Sequence, residues 1–201
     1  MPYPWPQLVL ALAAYLIGSL SFATILVRLF RGVDVRDHGS GNAGATNVLR
    51  TAGRGLAIAT MALDLAKGAA GVLLMHLVSY DPRWTGLAGV AAILGHVFPV
   101  FFGFRGGKGV ATAIGAFLVI SPLAVLAAVL LFILVVAATR YVSLGSVTAA
   151  CVLPLSLRLL RAPEAHVVAG ALTTALILFS HRANIRRLLD GTERKLGRKE
   201  S

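Results

Sequence analysis

Three short segments rich in glycine, polar and basic residues could bind phosphate groups. The first runs from Gly39 to Arg50, the second from Gly95 to Thr112, and the third from His181 to Asn184. Glycine lets backbone N–H groups approach a ligand closely, and a helix that begins just after such a loop adds the positive end of its dipole. Because every segment also carries cations, we expect the three to handle phosphate.

Three glycines in the first segment alternate with small polar residues and lead to an arginine. Amides and hydroxyls of this kind can surround an anion with little steric hindrance, and Arg50 could donate two parallel hydrogen bonds to phosphate oxygens. The alternative is a plain turn whose arginine reaches lipid phosphate, but a turn rarely needs so many amide and hydroxyl groups. The candidate binding residues are Gly39, Ser40, Gly41, Asn42, Gly44, Thr46, Asn47 and Arg50.

Four glycines in the second segment surround Arg105 and Lys108, just ahead of a helix predicted to begin at Val110. The spacing differs from that of the nucleotide-binding loop G-x-x-x-x-G-K-[ST], because a glycine follows the lysine, so it does not predict nucleotide hydrolysis. Backbone N–H groups, one lysine and a helix N-terminus would still suit a doubly charged phosphate. The candidate residues are Gly103, Arg105, Gly106, Gly107, Lys108 and Gly109.

The third segment places His181 and Asn184 one helical turn apart, so they share a face of their helix. The histidine could act as a base or donate a hydrogen bond to phosphate. The alternative is an interfacial histidine in a basic tail that faces lipid.

Four other ionisable residues are predicted to have structural roles. Asp64 and Lys67 stand at i and i+3 inside a predicted membrane helix. An unpaired charge there costs roughly 3 kcal/mol or more, so we expect them to pair with each other or with the loops. His96 is interpreted as a hydrogen-bonded structural residue and Glu193 as the partner of a tail cation. No cluster of ligand residues has the spacing of a metal site, so we expect neither a metal nor a cofactor.

The elements that must position these segments are membrane helices. The chain has 201 residues, of which 57% are hydrophobic and 13% charged, and its mean hydropathy is +0.82. Soluble domains are nearer about 25% charged. The formal net charge of +11 could suit nucleic acid, but the aqueous segments are too short for a domain that reads it. Anionic lipids or small phosphorylated substrates are the expected partners.

Hydropathy predicts a single all-α domain over residues 1–201 with seven transmembrane helices, the fourth of them short. Pro122 divides a stretch too long for one crossing; the alternative is one long tilted span. The predicted helices are Leu8–Phe30, Leu56–Tyr80, Thr85–Phe102, Val110–Ile120, Pro122–Thr139, Leu144–Leu160 and Ala165–Ser180.

The distribution of basic residues predicts an N-terminus outside and a C-terminus in the cytoplasm, because cytoplasmic segments carry the excess of lysine and arginine. The inner side then holds Arg28, Arg31, Arg36, Arg50, Arg54, Arg105, Lys108, Arg140, Arg182, Arg186, Arg187, Arg194, Lys195, Arg198 and Lys199. The outer side keeps only Arg83, Arg158 and Arg161. Merging the fourth and fifth helices would put the basic tail outside, so the asymmetry favours seven spans. All three polar segments then meet at the cytoplasmic face.

Together the three segments closely resemble those of the bacterial PlsY family, the acyl-phosphate-dependent glycerol-3-phosphate acyltransferases. The resemblance covers Gly39–Arg50, Gly95–Thr112 and His181–Asn184 with Glu193 following, in order and spacing. It implies a seven-helix protein of the bacterial inner membrane whose active site faces the cytoplasm. It also implies transfer of a fatty acyl group from acyl phosphate to the 1-hydroxyl of sn-glycerol 3-phosphate. The products would be lysophosphatidic acid and phosphate, in the first step of phospholipid synthesis.

The resemblance also implies roles for individual residues. The loop Gly103–Gly109 would hold the acyl phosphate, and Ser146 is a further contact. The residues expected to take part in catalysis are Ser40, Arg50, Lys108, His181 and Asn184. The hydroxyl proton could pass to His181 or to a substrate phosphate oxygen. Because an acyl phosphate is already activated, Ser40 is interpreted as a hydrogen-bonding group rather than an acyl-enzyme nucleophile. Membrane lipids and the upstream enzyme that forms acyl phosphate are further expected partners.

Two other classes of function remain open on the residues alone. A transporter of a phosphorylated metabolite would use the same cationic loops, and a non-catalytic subunit could bind lipid headgroups through the basic tail.

A different motif is interpreted as coincidence: His76 and Asp81 match the H-x-x-x-x-D spacing of another class of glycerolipid acyltransferases. They fall at the outer end of the second predicted helix, remote from the glycine loops.

Overall fold

The computed structural model describes residues 3–197, and its regular elements over that range are all helical. Arg198 and Lys199, which we counted in the basic tail, lie outside the described residues. The helices are α1 (Trp5–Gly18), α2 (Phe22–Arg31), α3 (Ala45–Thr51), α4 (Arg54–His76), α5 (Pro82–Val97), α6 (Val110–Ile120), α7 (Pro122–Thr139), α8 (Val142–Leu159), α9 (Glu164–Ser180) and α10 (Arg182–Leu189). Short 3-10 turns cover Val35–Asp37 and Val100–Phe102.

The first predicted helix is interrupted, which corrects the expectation of one continuous helix over Leu8–Phe30. α1 ends at Gly18 and α2 begins at Phe22. The Ser19 hydroxyl donates to the Tyr15 carbonyl (2.9 Å), and the freed carbonyl of Leu20 accepts from the Lys67 ammonium (2.6 Å). The break is therefore stabilised by a cation from α4. The predicted break at Pro122 is present, since α6 ends at Ile120 and Pro122 is the first residue of α7.

Length and composition allow five membrane spans within residues 3–197: Trp5–Arg31, Arg54–His76, Pro82–Phe102, Pro122–Thr139 and Val142–Leu159. A sixth is added if α9 and α10, which are bent by 62° at their junction, form one span. α6 is apolar but has only 11 residues. At a rise of about 1.5 Å per residue it is shorter than the roughly 30 Å hydrocarbon core. The integral membrane character is confirmed, whereas helix length alone gives five or six spans rather than the predicted seven.

Small residues let the central helices pack with their backbones in contact. A methyl group added at Gly68 of α4 would overlap the Thr112 carbonyl of α6, and one at Gly115 of α6 would overlap the Leu65 carbonyl of α4. Close packing through small residues is the usual way in which helices associate in membranes, where burial of apolar surface drives little association. α4 is thereby fixed against α6, the helix that follows the second glycine loop.

The connections at one end of the bundle border a single cavity. Its walls include the segment between α2 and α4, the loop that leads into α6, the first turns of α8, and the bend between α9 and α10. No residue of the three connections at the opposite ends of these helices, α4–α5, α6–α7 and α8–α9, contributes to the walls among the residues described. The chain therefore returns to the same cavity after each of the helix pairs α4–α5, α6–α7 and α8–α9.

Candidate active site

The cavity has a volume of about 610 Å³ and brings together residues from all three glycine and polar segments. Among the predicted site residues, those on its walls are Gly39, Ser40, Asn42, Gly44, Thr46, Asn47, Arg50, Lys108, Gly109, Ser146, His181 and Asn184, together with Asp64, His96 and Glu193. Off the walls are Gly41, Gly103, Arg105, Gly106, Gly107 and Lys67. Residues more than 140 positions apart in the sequence, such as Ser40 and His181, thus share one site.

Asn47 organises the first glycine loop. Its Oδ1 accepts a hydrogen bond from the Ser40 backbone N–H (2.8 Å), and its Nδ2 donates to the carbonyls of Val35 and His38 (3.0 Å each). The residue is only 2% exposed. Gly39 has a φ of 62°, and a side chain there would also overlap Asn47 Oδ1. Because three of its bonds serve the loop backbone, Asn47 shapes the wall on which Ser40 lies.

An arginine just before the first loop joins that part of the chain to the second segment. The Arg36 guanidinium contacts the Asp34 carboxylate through Nε and Nη2 (2.7–3.2 Å), and its Nη1 donates to the Phe102 carbonyl at 2.8 Å. The hydrogen bonds from Arg36 hold the pKa of Asp34 far below its usual range. The pair therefore stays charged at any physiological pH and ties that part of the chain to the second segment.

The second loop delivers Lys108 to the start of α6. Gly109, with a φ of 82°, is the N-cap of that helix, a backbone conformation that strains other residues. Gly109, Val110 and Ala111 line the cavity, so the N-terminus of an 11-residue helix borders it. Backbone N–H groups and a helix dipole at this position suit an anionic ligand.

Lys108 belongs to a hydrogen-bonded network that reaches the C-terminal segment. Its ammonium donates to Asn184 Oδ1, and Asn184 Nδ2 donates to Glu193 Oε1 (2.6 Å). Ser143 Oγ also donates to Glu193 Oε1 (2.8 Å), and Arg187 Nε to Oε2 (2.7 Å). One carboxylate therefore fixes a lysine, an amide, a hydroxyl and an arginine on one wall.

Burial shifts the acid–base properties of this network. Desolvation lowers the pKa of Lys108 to about 8; Glu193 opposes this fall, while Arg187 and Arg50 add to it. Burial raises the pKa of Glu193, but hydrogen bonds from Asn184, Ser143 and Arg187 outweigh it and leave that pKa below its usual value. Lys108 and Glu193 are thus both charged at neutral pH, and the Lys108 ammonium can lose its proton at moderately alkaline pH.

His181 lies at the bend between α9 and α10 with one ring nitrogen engaged. Its Nδ1 is 2.9 Å from the Ile177 carbonyl, which can only accept, so Nδ1 carries the proton. In the neutral ring, Nε2 is then left as an acceptor. His181 is 2% exposed and lines the cavity. Ser146, by contrast, donates its hydroxyl to the Val142 carbonyl (2.9 Å).

The expected pairing of Asp64 and Lys67 is present, and His96 joins it. Lys67 Nζ lies 3.0 Å from Asp64 Oδ1, and His96 Nδ1 lies 3.5 Å from the same oxygen. The side chains of all three are at most 6% exposed. Asp64 and His96 reach the cavity wall, while Lys67 lies behind them.

The cavity continues into an apolar arm between α6, α7 and α8. Ile114, Val129 and Phe132 line both the main cavity and a smaller adjoining pocket of about 40 Å³. Phe117 and Leu153 line only the smaller pocket. Polar groups thus occupy one part of the site and hydrocarbon side chains the other.

Sequence reasoning missed Ser143, Arg187 and Arg194, which also line the cavity. Ser143 stands three residues before Ser146, and Arg187 three residues after Asn184, so helical spacing could have placed both on the site. We counted Arg187 and Arg194 only as tail cations. The apolar wall carried no comparable signal, because its residues resemble those that face lipid.

The two residues of the H-x-x-x-x-D match, His76 and Asp81, make local contacts at the ends of their helices. His76 ends α4 and stacks on Tyr80, with ring centroids 4.7 Å apart. Asp81 caps α5 by accepting from the Arg83 backbone N–H (2.9 Å). Neither residue lines the cavity.

Within residues 3–197 there is no group of three or more His, Cys, Asp or Glu that could hold a metal ion.

Known proteins share both the sequence and the fold. The family "Glycerol-3-phosphate acyltransferase" matches residues 8–191. A glycerol-3-phosphate acyltransferase of Thioalkalivibrio sulfidiphilus is 50% identical over 190 residues, which cover 94% of each chain. One from Geobacter sulfurreducens is 47% identical, covering 94% of this chain and 97% of its own.

Two crystal structures of PlsY, an integral membrane glycerol 3-phosphate acyltransferase, superpose on the chain. The glycerol 3-phosphate form has a TM-score of 0.91 and the lysophosphatidic acid form 0.89. Each is 40% identical and covers 96% of both chains. The family match at residues 8–191 includes the three glycine and polar segments that border the cavity.

Proposed function

The chain belongs to the glycerol-3-phosphate acyltransferase family, and we propose that its acyl donor is a fatty acyl phosphate. The chain is an acyltransferase that acts on glycerol 3-phosphate. In the proposed reaction the acyl group moves to the 1-hydroxyl of sn-glycerol 3-phosphate, and lysophosphatidic acid and inorganic phosphate are released. This reaction would be the first step of phospholipid synthesis.

The observation that carries the proposal is a cation-lined cavity with an apolar arm. Four cationic side chains line it among the residues described: Arg50, Lys108, Arg187 and Arg194. The two carboxylates on its walls are already paired, Asp64 with Lys67 and Glu193 with Arg187. Two phosphate-bearing substrates repel each other, so such an excess of cations is what their joint binding requires.

An acyl phosphate suits this site because it is a mixed anhydride with phosphate as its leaving group. The reaction then needs no covalent intermediate, and positioning of the two substrates supplies much of the rate acceleration. The apolar arm beside Lys108 offers a place for the fatty chain, and the N-terminus of α6 with Lys108 offers one for the donor phosphate. Arg50, Ser40 and Asn42, which line the same cavity, would hold glycerol 3-phosphate.

In the chemical step, the C1 hydroxyl oxygen of glycerol 3-phosphate attacks the acyl carbonyl carbon. The bond between that carbon and the bridging phosphate oxygen breaks, and phosphate leaves with the electron pair. The hydroxyl proton passes either to Nε2 of His181, whose Nδ1 is held by Ile177, or to a substrate phosphate oxygen. His181→Asn separates these routes: loss of the acidic limb of the pH profile with the variant would favour the histidine.

Seven crossings are proposed, with the N-terminus outside and the C-terminus in the cytoplasm. The support is the alternation of helix ends: after the first span, the chain reaches the cavity at the ends of α5, α7 and α9 and at the starts of α4, α6 and α8. This alternation supports α6 as a crossing of its own despite its length. The cavity side carries most of the basic residues, which supports a cytoplasmic site in the bacterial inner membrane.

A single assay tests the function. Purified protein is mixed with palmitoyl phosphate and glycerol 3-phosphate, and phosphate release is measured with each substrate alone and with both. Release that needs both, together with lysophosphatidic acid as product, supports the proposal. Product formed only from acyl-CoA would refute the proposed donor. Uptake of labelled glycerol 3-phosphate into liposomes without any donor would indicate a transporter.

The assay extends to the role of Ser40. Intact-protein mass is measured after mixing with palmitoyl phosphate alone. We expect no acylated species, because the donor is already activated. A stoichiometric adduct that disappears in Ser40→Ala and is discharged by glycerol 3-phosphate would establish a covalent intermediate instead.

A further inference from the structure

The two glycine loops touch next to the His96 ring. A methyl group added at Gly107 would overlap Nε2 of His96 and stand 2.8 Å from the Ala43 carbonyl oxygen of the first loop. The Gly107 backbone N–H also donates to the His96 carbonyl at 3.0 Å. One histidine therefore contacts the second loop through both its ring and its backbone, at the point where the first loop approaches.

We propose that His96 is a positioning residue that sets the separation between the two substrate-holding loops, through Gly107. The inference rests on the proposed function, because it concerns how two phosphate-bearing substrates are brought together. Gly107 and Gly106 do not line the cavity, although they directly precede Lys108. Their role is to let the loop lie flat against His96 and so fix where Lys108 begins.

The histidine ring lies beside a buried ion pair, in contact with it but not hydrogen-bonded to it. Asp64 Oδ1 lies 3.5 Å from His96 Nδ1 and 3.0 Å from Lys67 Nζ, and the Lys67 ammonium also donates to the Leu20 carbonyl at 2.6 Å. Buried polar groups of this kind are costly unless they are paired. The series runs from the break between α1 and α2 through α4 to the last turn of α5. His96 thereby packs against the charged pair of α4 on one side and against Gly107 of the second loop on the other.

A positioning role predicts a specific kinetic signature. If His96 bound one substrate, its loss would raise the KM for that substrate. If it sets the distance between two bound substrates, its loss leaves each KM unchanged and lowers kcat, because a misplacement of about 1 Å can cost roughly 100-fold in rate. The ring is 6% exposed, which leaves little of it for direct contact with a ligand.

The test combines His96→Ala with Gly107→Ala in a double-mutant cycle, using the acyl transfer assay on the full chain. We expect His96→Ala to lower kcat about 30-fold or more while both KM values change less than about threefold. Gly107→Ala alone should lower kcat about 100-fold, because its methyl overlaps the ring. In the His96→Ala background the same change should cost less, since the ring is gone and only the Ala43 carbonyl oxygen, 2.8 Å away, still crowds the methyl group.

Several outcomes would overturn the inference. Additive effects in the cycle would mean that His96 does not act through Gly107, and a selective rise in one KM would make it a binding residue. If His96→Ala does not fold, His96→Asn, which keeps an N–H donor towards Asp64, is judged by the same split between kcat and KM. His76→Ala, on the last turn of α4 away from the cavity, is the matched control and should keep wild-type kcat. An inactive wild-type protein would instead refute the proposed function.

Discussion

Two walls of the cavity are held in place in different ways. The first-loop wall, Gly39–Arg50, is shaped by its own backbone, with Asn47 bonded to three backbone groups. The network wall, made of Lys108, Ser143, Asn184, Arg187 and Glu193, is shaped by bonds between side chains from three parts of the chain. One wall depends on local folding and the other on tertiary assembly.

The difference extends to the charges that each wall presents. Arg50 is exposed at the end of α3, and a guanidinium keeps its proton at any physiological pH. Lys108 is largely buried, and desolvation brings its pKa to about 8. The first-loop wall therefore offers a constant charge, whereas the network wall offers a charge that depends on pH and on Glu193. Substitutions can separate the two contributions.

Removal of the Lys108 charge should have the largest effect. Lys108→Ala takes away the cation of the second loop that lines the cavity, and we expect kcat/KM to fall about 10³-fold, as for loss of one strong donor to a developing charge. The measurement is steady-state phosphate release. Lys195→Ala, an exposed tail lysine off the cavity walls, is the control and should stay within about twofold of the wild-type rate. Equal losses in both variants would contradict a specific role for Lys108.

Removal of the Asn47 side chain should have the second-largest effect. Asn47→Ala leaves the Ser40 N–H and the carbonyls of Val35 and His38 without these bonds. The Val35 carbonyl is buried, and a buried unsatisfied group costs about 1–3 kcal/mol. We expect a lower Tm and a fall in kcat/KM of about 100-fold, because the first loop no longer holds Ser40 in place. Thermal unfolding in detergent and the transfer assay measure the two effects.

The control for Asn47 lies one turn along α3. Thr51→Val removes only a hydroxyl that donates to the Asn47 carbonyl (2.9 Å) and keeps the shape of the side chain. Its kcat/KM should change less than about threefold. A wild-type kcat/KM in Asn47→Ala would show that the first-loop wall does not depend on the hydrogen bonds of Asn47. The contrast between the two walls would then be wrong.

The same contrast explains how far the sequence predicts the site. The first-loop wall lies within one segment, so the spacing of Gly39, Ser40 and Asn42 predicts it almost completely. Helix boundaries are also accurate where proline or glycine marks them, as at Val110–Ile120 and Pro122–Thr139, whose predicted and observed limits coincide. Local chemistry of this kind depends on neighbours in the sequence.

Tertiary bonds account for most of what the sequence did not predict. The break at Ser19–Ser21 is completed by Lys67 from another helix, and no local pattern reveals that partner. Glu193 was expected to pair with a tail cation and does pair with Arg187, but its bonds to Ser143 and Asn184 depend on how α8 and α10 pack. Asn47 was grouped with the binding residues because type and spacing do not show which amide faces inward.

Alkaline pH should weaken the network wall alone. The Lys108 pKa lies near 8, so the ammonium is about nine-tenths protonated at pH 7 and about one-tenth at pH 9. Activity that requires the charged form is complete below pH 7 and is lost as pH rises through 8, so kcat/KM should fall roughly tenfold between pH 7 and 9. Lys108→Arg retains its charge over this range. Any residual activity of this variant should therefore not show the fall of kcat/KM between pH 7 and 9, the alkaline limb of the pH profile. A limb that persists in Lys108→Arg would belong to another group.

Glu193→Gln should have the smallest effect, because it preserves most of the network. The amide oxygen can still accept from Ser143 and Asn184, but the new NH2 group faces the Arg187 Nε–H, donor against donor. We expect kcat/KM at pH 7 to fall about fivefold, the loss of roughly one modest hydrogen bond. Because Glu193 raises the pKa of Lys108, removal of its charge should also move the alkaline limb below pH 8.

The direction of that movement separates charge from geometry. Ser143→Ala removes a hydrogen-bond donor to Glu193 Oε1 but leaves the carboxylate charge next to Lys108. It should therefore slow the reaction by a similar small factor without moving the limb to lower pH. If both variants move the limb equally, the wall acts through the placement of Lys108 and not through the field of Glu193. A limb that moves only in Glu193→Gln would show that the charge of Glu193 raises the pKa of Lys108 and so keeps its ammonium protonated to higher pH.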